Sequence, residues 1–177
     1  MNSMSRGYYE SCGKERKREE EKCQTIIKCG CPSTAQVLTT VASPTDSATI
    51  ASLTVDNFCL CDPITKLEFA TIISTAANGF AGTVSLRIFK QCRHQFTPVP
   101  IGPAWTVTVA AASTLPLSFF ICDSDSCEND CCTYTVVATA TETASGIVTF
   151  NNSTLGAIST CKSNKCKEKC REKEEWR

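Results

Sequence analysis

Histidine is nearly missing from this 177-residue chain: His94 is the only one. A histidine-rich metal site is thereby excluded, and any Cys-His dyad would depend on that one residue, which stands beside Cys92 in KQCRHQF. No GxGxxG, P-loop or HExxH pattern occurs, which removes the commonest dinucleotide, nucleotide and zinc-protease readings. No apolar run approaches 18 residues, because Thr, Ser and Gly interrupt every one, so no membrane-spanning helix is predicted. The start, MNSMSRGYYESCGKERKREEEKC, has no apolar core of the kind a secretory leader carries. The expectation is a protein without catalytic residues, cofactor or resident metal, and with neither a membrane nor a nucleic acid as partner. The basic tails, the segments able to attract a polyanion, mix Glu with Lys, which is poor nucleic-acid chemistry.

What the chain has in quantity is cysteine, fourteen in all, near the density at which composition suggests a disulfide scaffold. Such scaffolds are usually small domains without a sufficient core, whereas 177 residues can build one of ordinary size. The cysteines therefore serve some purpose beyond rescuing a marginal fold.

From Gln24 the composition shifts to Thr, Ala, Val and Ser, with charge nearly absent, and the pattern becomes that of short strands. Nine are predicted: residues 36–41, 48–55, 66–74, 82–89, 105–110, 117–121, 133–141, 147–150 and 155–160. Turn residues separate them at Ser43-Pro44, Asp62-Pro63, Asn78-Gly79, Pro98 to Pro103, Gly146 and Asn151-Asn152, the last read as a hairpin turn. Alternation is plain in Leu67, Phe69, Thr71 and Ile73 against Lys66, Glu68 and Ala70, and again in Val84, Leu86 and Ile88. The predicted fold is all-β, a jelly-roll-like antiparallel β-sandwich of eight or nine strands over residues 29–160. A charged connector arm (1–28) precedes it and a charged tail (161–177) follows, both bearing cysteine. The arm carries seven Lys/Arg and five Glu, the tail seven and four, and the body four Lys/Arg against nine Asp/Glu. Basic ends on an acidic body can attract a second copy of that body. Residues 13–22 of the arm suit a short solvated helix with pairs such as Arg16 and Glu20.

Nine cysteines fall in the body: 29, 31, 59, 61, 92, 122, 127, 131 and 132. The tails hold Cys12, Cys23, Cys161, Cys166 and Cys170. Nine is odd, so the body cannot pair fully with itself. Cys29/Cys31 and Cys59/Cys61 have the period-two spacing that puts both thiols on one face of an extended chain, which suits disulfides better than the wider spacing usual for zinc. Cys131 and Cys132 are adjacent and, in a strand, point to opposite faces. The acidic loop DSDSCEND at 123–130 fails the calcium-loop pattern, having Cys127 and Glu128 where a ligand and a glycine are required. Cys122, Cys127 and one of Cys131/Cys132 are expected to fasten the corner around it. The roughly 55 Å reach of an extended chain from Cys12 to Cys29 puts a neighbouring subunit within range.

The stretches CLCDP (59–63), IFKQC (88–92), PVPIGPAW (98–105) and FFICDSDSCENDCCTYTVV (119–137) together resemble an uncharacterised cysteine-rich domain family of spore-forming bacteria, over about residues 28 to 160. In layout the chain is also similar to endospore appendage subunits, jelly-roll domains whose N-terminal connector cysteines bond to preceding subunits in resistant fibres. The resemblance implies a structural subunit of an extracellular filament on the spore surface, assembled from copies of itself and in contact with other spore-surface proteins. Cys12, Cys23, Cys29, Cys31, Cys131 and Cys132 are then the inter-subunit candidates. Cys59, Cys61, Cys92, Cys122 and Cys127 are the structural ones, and Cys161, Cys166 and Cys170 have no assigned role. The alternatives are a non-filamentous metal- or ligand-binding module and, from the Cys131-Cys132 pair, a redox enzyme.

Overall fold

The computed structural model describes residues 24–58, 60, 62–77, 79–127 and 131–162. Among them there is no helix; the strands are β1 (Ile26–Cys29), β2 (Ser33–Thr39), β3 (Thr45–Asp56), β4 (Pro63–Thr75), β5 (Gly82–Cys92), β6 (Val99–Val109), β7 (Thr114–Asp123), β8 (Cys131–Thr141) and β9 (Gly146–Cys161). Arm residues 13–22 and Cys12, Cys23, Cys59, Cys61, Cys166 and Cys170 lie outside the described residues.

The pairings are antiparallel and nested: β5 with β6, β4 with β7, β3 with β8, and β2 with β9. Folding this long hairpin across itself brings β4 against β9 and β5 against β8, which divides it into two sheets. One runs β1-β9-β4-β7, with β2 on the same β9 strand, and the other runs β3-β8-β5-β6. That strand order is a jelly roll. β1 and β2 meet successive parts of one side of β9, so together they act as a single interrupted edge strand.

Alternation along the long strands, interrupted at bulges such as those in β3 and β9, makes the core. Leu67, Phe69 and Ile73 of β4 and Val148, Phe150 and Leu155 of β9 face Val84, Leu86 and Ile88 of β5 and Tyr134, Val136 and Ala138 of β8. Each large apolar side chain buried here contributes about 1.5–3 kcal/mol relative to exposure. At the end of the sandwich away from the cysteine corner, the buried Glu142 accepts hydrogen bonds from Thr39 Oγ1 (3.1 Å) and the Ala81 amide (2.9 Å), tying three connections together.

Besides the turn read at Pro98 to Pro103, which is strand from Val99 onward, two expectations are corrected. Asn151-Asn152 is no hairpin turn: residues 147–150 and 155–160 belong to one 16-residue strand. The two asparagines form a bulge there, for β9 advances three residues while β2 and β4 each advance two. Asn152 takes the left-handed conformation (φ 52°) that asparagine tolerates. The other correction is β1, too short to stand out in sequence, which places Ile26–Cys29 in the sheet across the boundary expected at residue 28.

Candidate functional site: a cysteine corner over a buried ion pair

Three strand ends meet at the corner. β5 finishes at Cys92, β7 finishes at Asp123, and β8 begins at Cys131, so the loop after β7 must turn back over the open end of the sandwich. Antiparallel pairing of β5 with β8 sets Cys92 opposite Cys132. The loop then carries Cys127 down onto both. The Sγ atoms of Cys92, Cys127 and Cys132 all lie within 4.8 Å of one another. Cys127 is disulfide-paired with Cys92 and alternatively with Cys132, and its amide donates to Cys132 Sγ at 2.9 Å. Cys127 and Cys132 are buried and Cys92 is half-buried.

Beside the sulfurs, Lys90 and Asp123 form a buried ion pair at 3.1 Å, and Lys90 Nζ also donates to the Asp125 carbonyl. Asp123 holds the loop from below. Its carboxylate accepts from Tyr134 OH (2.9 Å), the Asp125 amide (3.2 Å) and Ser126 Oγ (3.3 Å). The polar chain continues from Ser126 to Thr65 (2.8 Å), Ser159 (2.6 Å) and Asn57 (2.9 Å), crossing from the loop to β4 and β9. Burial pushes the Tyr134 phenol well above its ordinary value, with hydrogen bonds to Ser126 and Thr65 opposing and the Asp123 charge reinforcing the shift. Charges and hydroxyls sealed under a loop in this way fix its path, because each loses a partner if the loop lifts.

An open cavity of about 530 Å³ is lined by Cys92, Cys122 and Cys127 together with Lys90, Ile101 and Gly102. Gly102 is essential to this wall. It has φ +62°, and a Cβ there would run into Ile121 Cδ1.

The sequence expectations fall out as follows. The structure brings Cys127 together with Cys132, and adds Cys92 in the place expected for Cys122. Cys122 is exposed with a free thiol, since on β7 Phe119, Ile121 and Asp123 turn inward and Phe120 and Cys122 outward. Of the adjacent pair, Cys132 turns in and is fully buried, which rules out the inter-subunit role expected of it, while Cys131 is partly exposed. Cys29 and Cys31 are exposed and free. Cys161 ends β9 and is disulfide-bonded, so it belongs to the sandwich and not to the tail.

Cys29 and Cys122 sit on opposite edge strands of one sheet, β1 and β7. Around them on its outer surface are Ile27, Ile158, Phe120 and Lys66, with Lys66 bound to Glu68 at 2.6 Å and over the Phe120 ring at 5.2 Å. The Glu68 carboxylate raises the Lys66 pKa. Sequence reasoning missed the ion pair, because Lys90 and Asp123 are far apart in the chain; Lys90 standing alone in the apolar IFKQC run was the available signal.

Chemically, the three sulfurs can hold one disulfide and one thiol, or bind a soft metal through three thiolates. Among the described residues no fourth Cys, His, Asp or Glu joins the group, as a closed structural zinc site would need.

No curated protein matches the chain. Among solved structures, similarity extends to a structure of the infectious bursal disease virus Gx strain at 11% identity and TM-score 0.47, over 78% of this chain and 32% of that one. A carbohydrate-binding module of the β-sandwich superfamily is similar at 5% identity and TM-score 0.34, over 73% and 55%. The family 11 carbohydrate-binding module from Clostridium thermocellum is similar at 10% identity and TM-score 0.32, over 76% and 94%. The chain thus spans about a third of the first of these structures. These likenesses go no further than the sandwich itself, and the strand order is what makes it a jelly roll. A family model matches residues 23–160, from just before β1 to within one residue of the end of β9, and the chain belongs to that family, described as a domain of unknown function, DUF4489.

Proposed function

We propose that this protein is a structural subunit of a self-assembling, disulfide-cross-linked filament, with arm cysteines Cys12 and Cys23 bonding to outward cysteines of a neighbouring copy. The observation that carries the reading is the placement of free thiols on the two opposite edges of one sheet, Cys29 on β1 and Cys122 on β7. A contact that joins different surfaces of successive copies propagates as an open fibre. Edge strands offer unpaired backbone for the same purpose, by strand addition. A sandwich with a full core has no need of surface thiols for its own stability, whereas a polymer gains resistance from every covalent joint. The filament is extracellular, on the spore surface, touching other spore-surface proteins but neither membrane nor nucleic acid. Its disulfides form after release from the reducing cell interior, and it performs no catalysis.

The test is to oxidise concentrated, purified chain and examine it by electron microscopy and sedimentation. Fibres are expected, and Cys29→Ser with Cys122→Ser should shorten or abolish them. Monomers unchanged by oxidation would refute the reading.

A second reading, a metal-binding module, is favoured by the three converging sulfurs beside an open cavity. Near-stoichiometric metal in protein purified under reducing conditions would support it.

A further inference from the structure

Three sulfurs in mutual reach hold at most one disulfide among themselves, so one cysteine of the corner is always left over. Which one depends on Cys127, the member common to both pairings. If Cys127 bonds to Cys92, the remaining thiol is Cys132, fully buried and out of reach of any reagent. If Cys127 bonds to Cys132, the remaining thiol is Cys92, half-buried on the wall of the open cavity. The two states interconvert by exchange. The Cys132 thiolate attacks the Cys127 sulfur, the Cys127–Cys132 bond forms, the Cys127–Cys92 bond breaks, and Cys92 leaves as a thiolate that takes up a proton. Electrons balance without an oxidant.

We propose that the triad is a covalent attachment site for one external sulfur, accepted at Cys92. The Cys92 thiolate attacks a disulfide R–S–S–R′ presented at the cavity; the Cys92–S–R bond forms, the R–S–S–R′ bond breaks, and R′S⁻ departs. Cys92 is the member an outside molecule can reach, so capture draws the exchange toward the Cys127–Cys132 pairing. After capture all three sulfurs of the triad are bonded, so no thiol within it remains to expel the newcomer, and the free Cys122 on the same cavity stands outside this exchange. A two-cysteine site behaves oppositely, because its second thiol resolves the mixed disulfide and turns it over. An odd number of cysteines is what makes an attachment point instead of an exchanging pair. The incoming sulfur is one half of an existing disulfide, contributed either by a disulfide-bonded cysteine of a second copy or by a small disulfide. The acceptor chemistry is the same for both, and it does not depend on the filament reading.

The sequence makes the site readable. Trypsin cuts after Lys90 and Arg93 and next after Lys162, so Cys92 is alone in the peptide Gln91 to Arg93. Folded, oxidised full-length chain is treated with oxidised glutathione, digested without reductant and analysed by mass spectrometry. The expected result is glutathione on the Cys92 peptide. Cys132→Ser, and Cys132→Ala as a second variant checked for native near-ultraviolet dichroism, should trap Cys92 on Cys127 and lower that adduct by about tenfold or more. Cys29→Ser, at the far edge of the other sheet, should leave it unchanged. Without glutathione, oxidation of mixed isotope-labelled and unlabelled copies should join the Cys92 peptide to a peptide of the other chain if the natural donor is a second copy. A Cys92 peptide still linked only to peptide 94–162 after glutathione treatment of the unsubstituted chain overturns the proposal, as does equal labelling in the Cys132 variants. A Cys92 thiol that reacts only after a chelator is added overturns it in favour of metal. Interchain links at Cys29 and Cys122 with an unmodified Cys92 would remove this proposal and leave the filament standing.

Discussion

Removing the carboxylate of Asp123 should unseat the corner more than any other single change to a polar side chain. Asp123→Ala takes away the partner of Lys90 Nζ at 3.1 Å and the acceptor of Tyr134 OH at 2.9 Å, and both residues are buried. Lys90 then keeps the Asp125 carbonyl as its remaining partner, a neutral group facing a buried cation. Breaking a buried pair from one side costs about 3–5 kcal/mol, because the charge left behind is uncompensated. At about 3 °C per kcal/mol for a domain of this size, that is a fall of about 12 °C in Tm. The decisive variant is the double one. Lys90→Met in the Asp123→Ala background removes the stranded charge while keeping the stem volume, and should recover about 2 kcal/mol. Urea titration and calorimetry of all four proteins, at one fixed redox state, give the cycle. If Asp123→Ala costs under about 1 kcal/mol, or if Lys90→Met adds a further loss to it, the ion pair does not hold the loop.

Three further outcomes follow from particular contacts. Gly102→Ala should cost about 2–3 kcal/mol in denaturant titration, combining a left-handed backbone with a clash on Ile121, and adding Ile121→Val should recover the clash alone. Glu142→Ala should cost about 1–2 kcal/mol, since it strands the Ala81 amide at the far end of the sandwich while the Thr39 hydroxyl keeps the Gly146 carbonyl at 3.2 Å. Tyr134 supplies the pH dependence. Its native pKa lies above the ordinary 10.0, so above that pH the unfolded chain releases a proton that the native chain keeps. Stability present at neutral pH is therefore lost on going alkaline, by up to about 1.4 kcal/mol per pH unit, and Tyr134→Phe should remove that slope in denaturation measured from pH 9 upward.

The strands were legible wherever alternation was strict, as in Leu67 to Ile73 and Val84 to Ile88, because burial of one face imposes a period of two that no other structure shares. Asn151-Asn152 misled because the same residues serve turns and bulges: both need a left-handed position, and only the partners on β2 and β4 decide which is built. The corner was half legible. Adjacent Cys131 and Cys132 had to face opposite ways, and inward Phe119 and Ile121 would have turned Cys122 outward had the alternation of β7 been followed to its end. Cys92 could not be assigned, being separated from Cys127 by 35 residues. What joins them is the register of β5 against β8, set by the whole core.

The most direct test of covalent self-assembly is electrophoresis of the protein from its native source, run with and without reductant after boiling in detergent. A disulfide-linked filament predicts a ladder or material that fails to enter the gel, collapsing to one band near 19.2 kDa when reduced. A sharp band at that mass without reductant would contradict it.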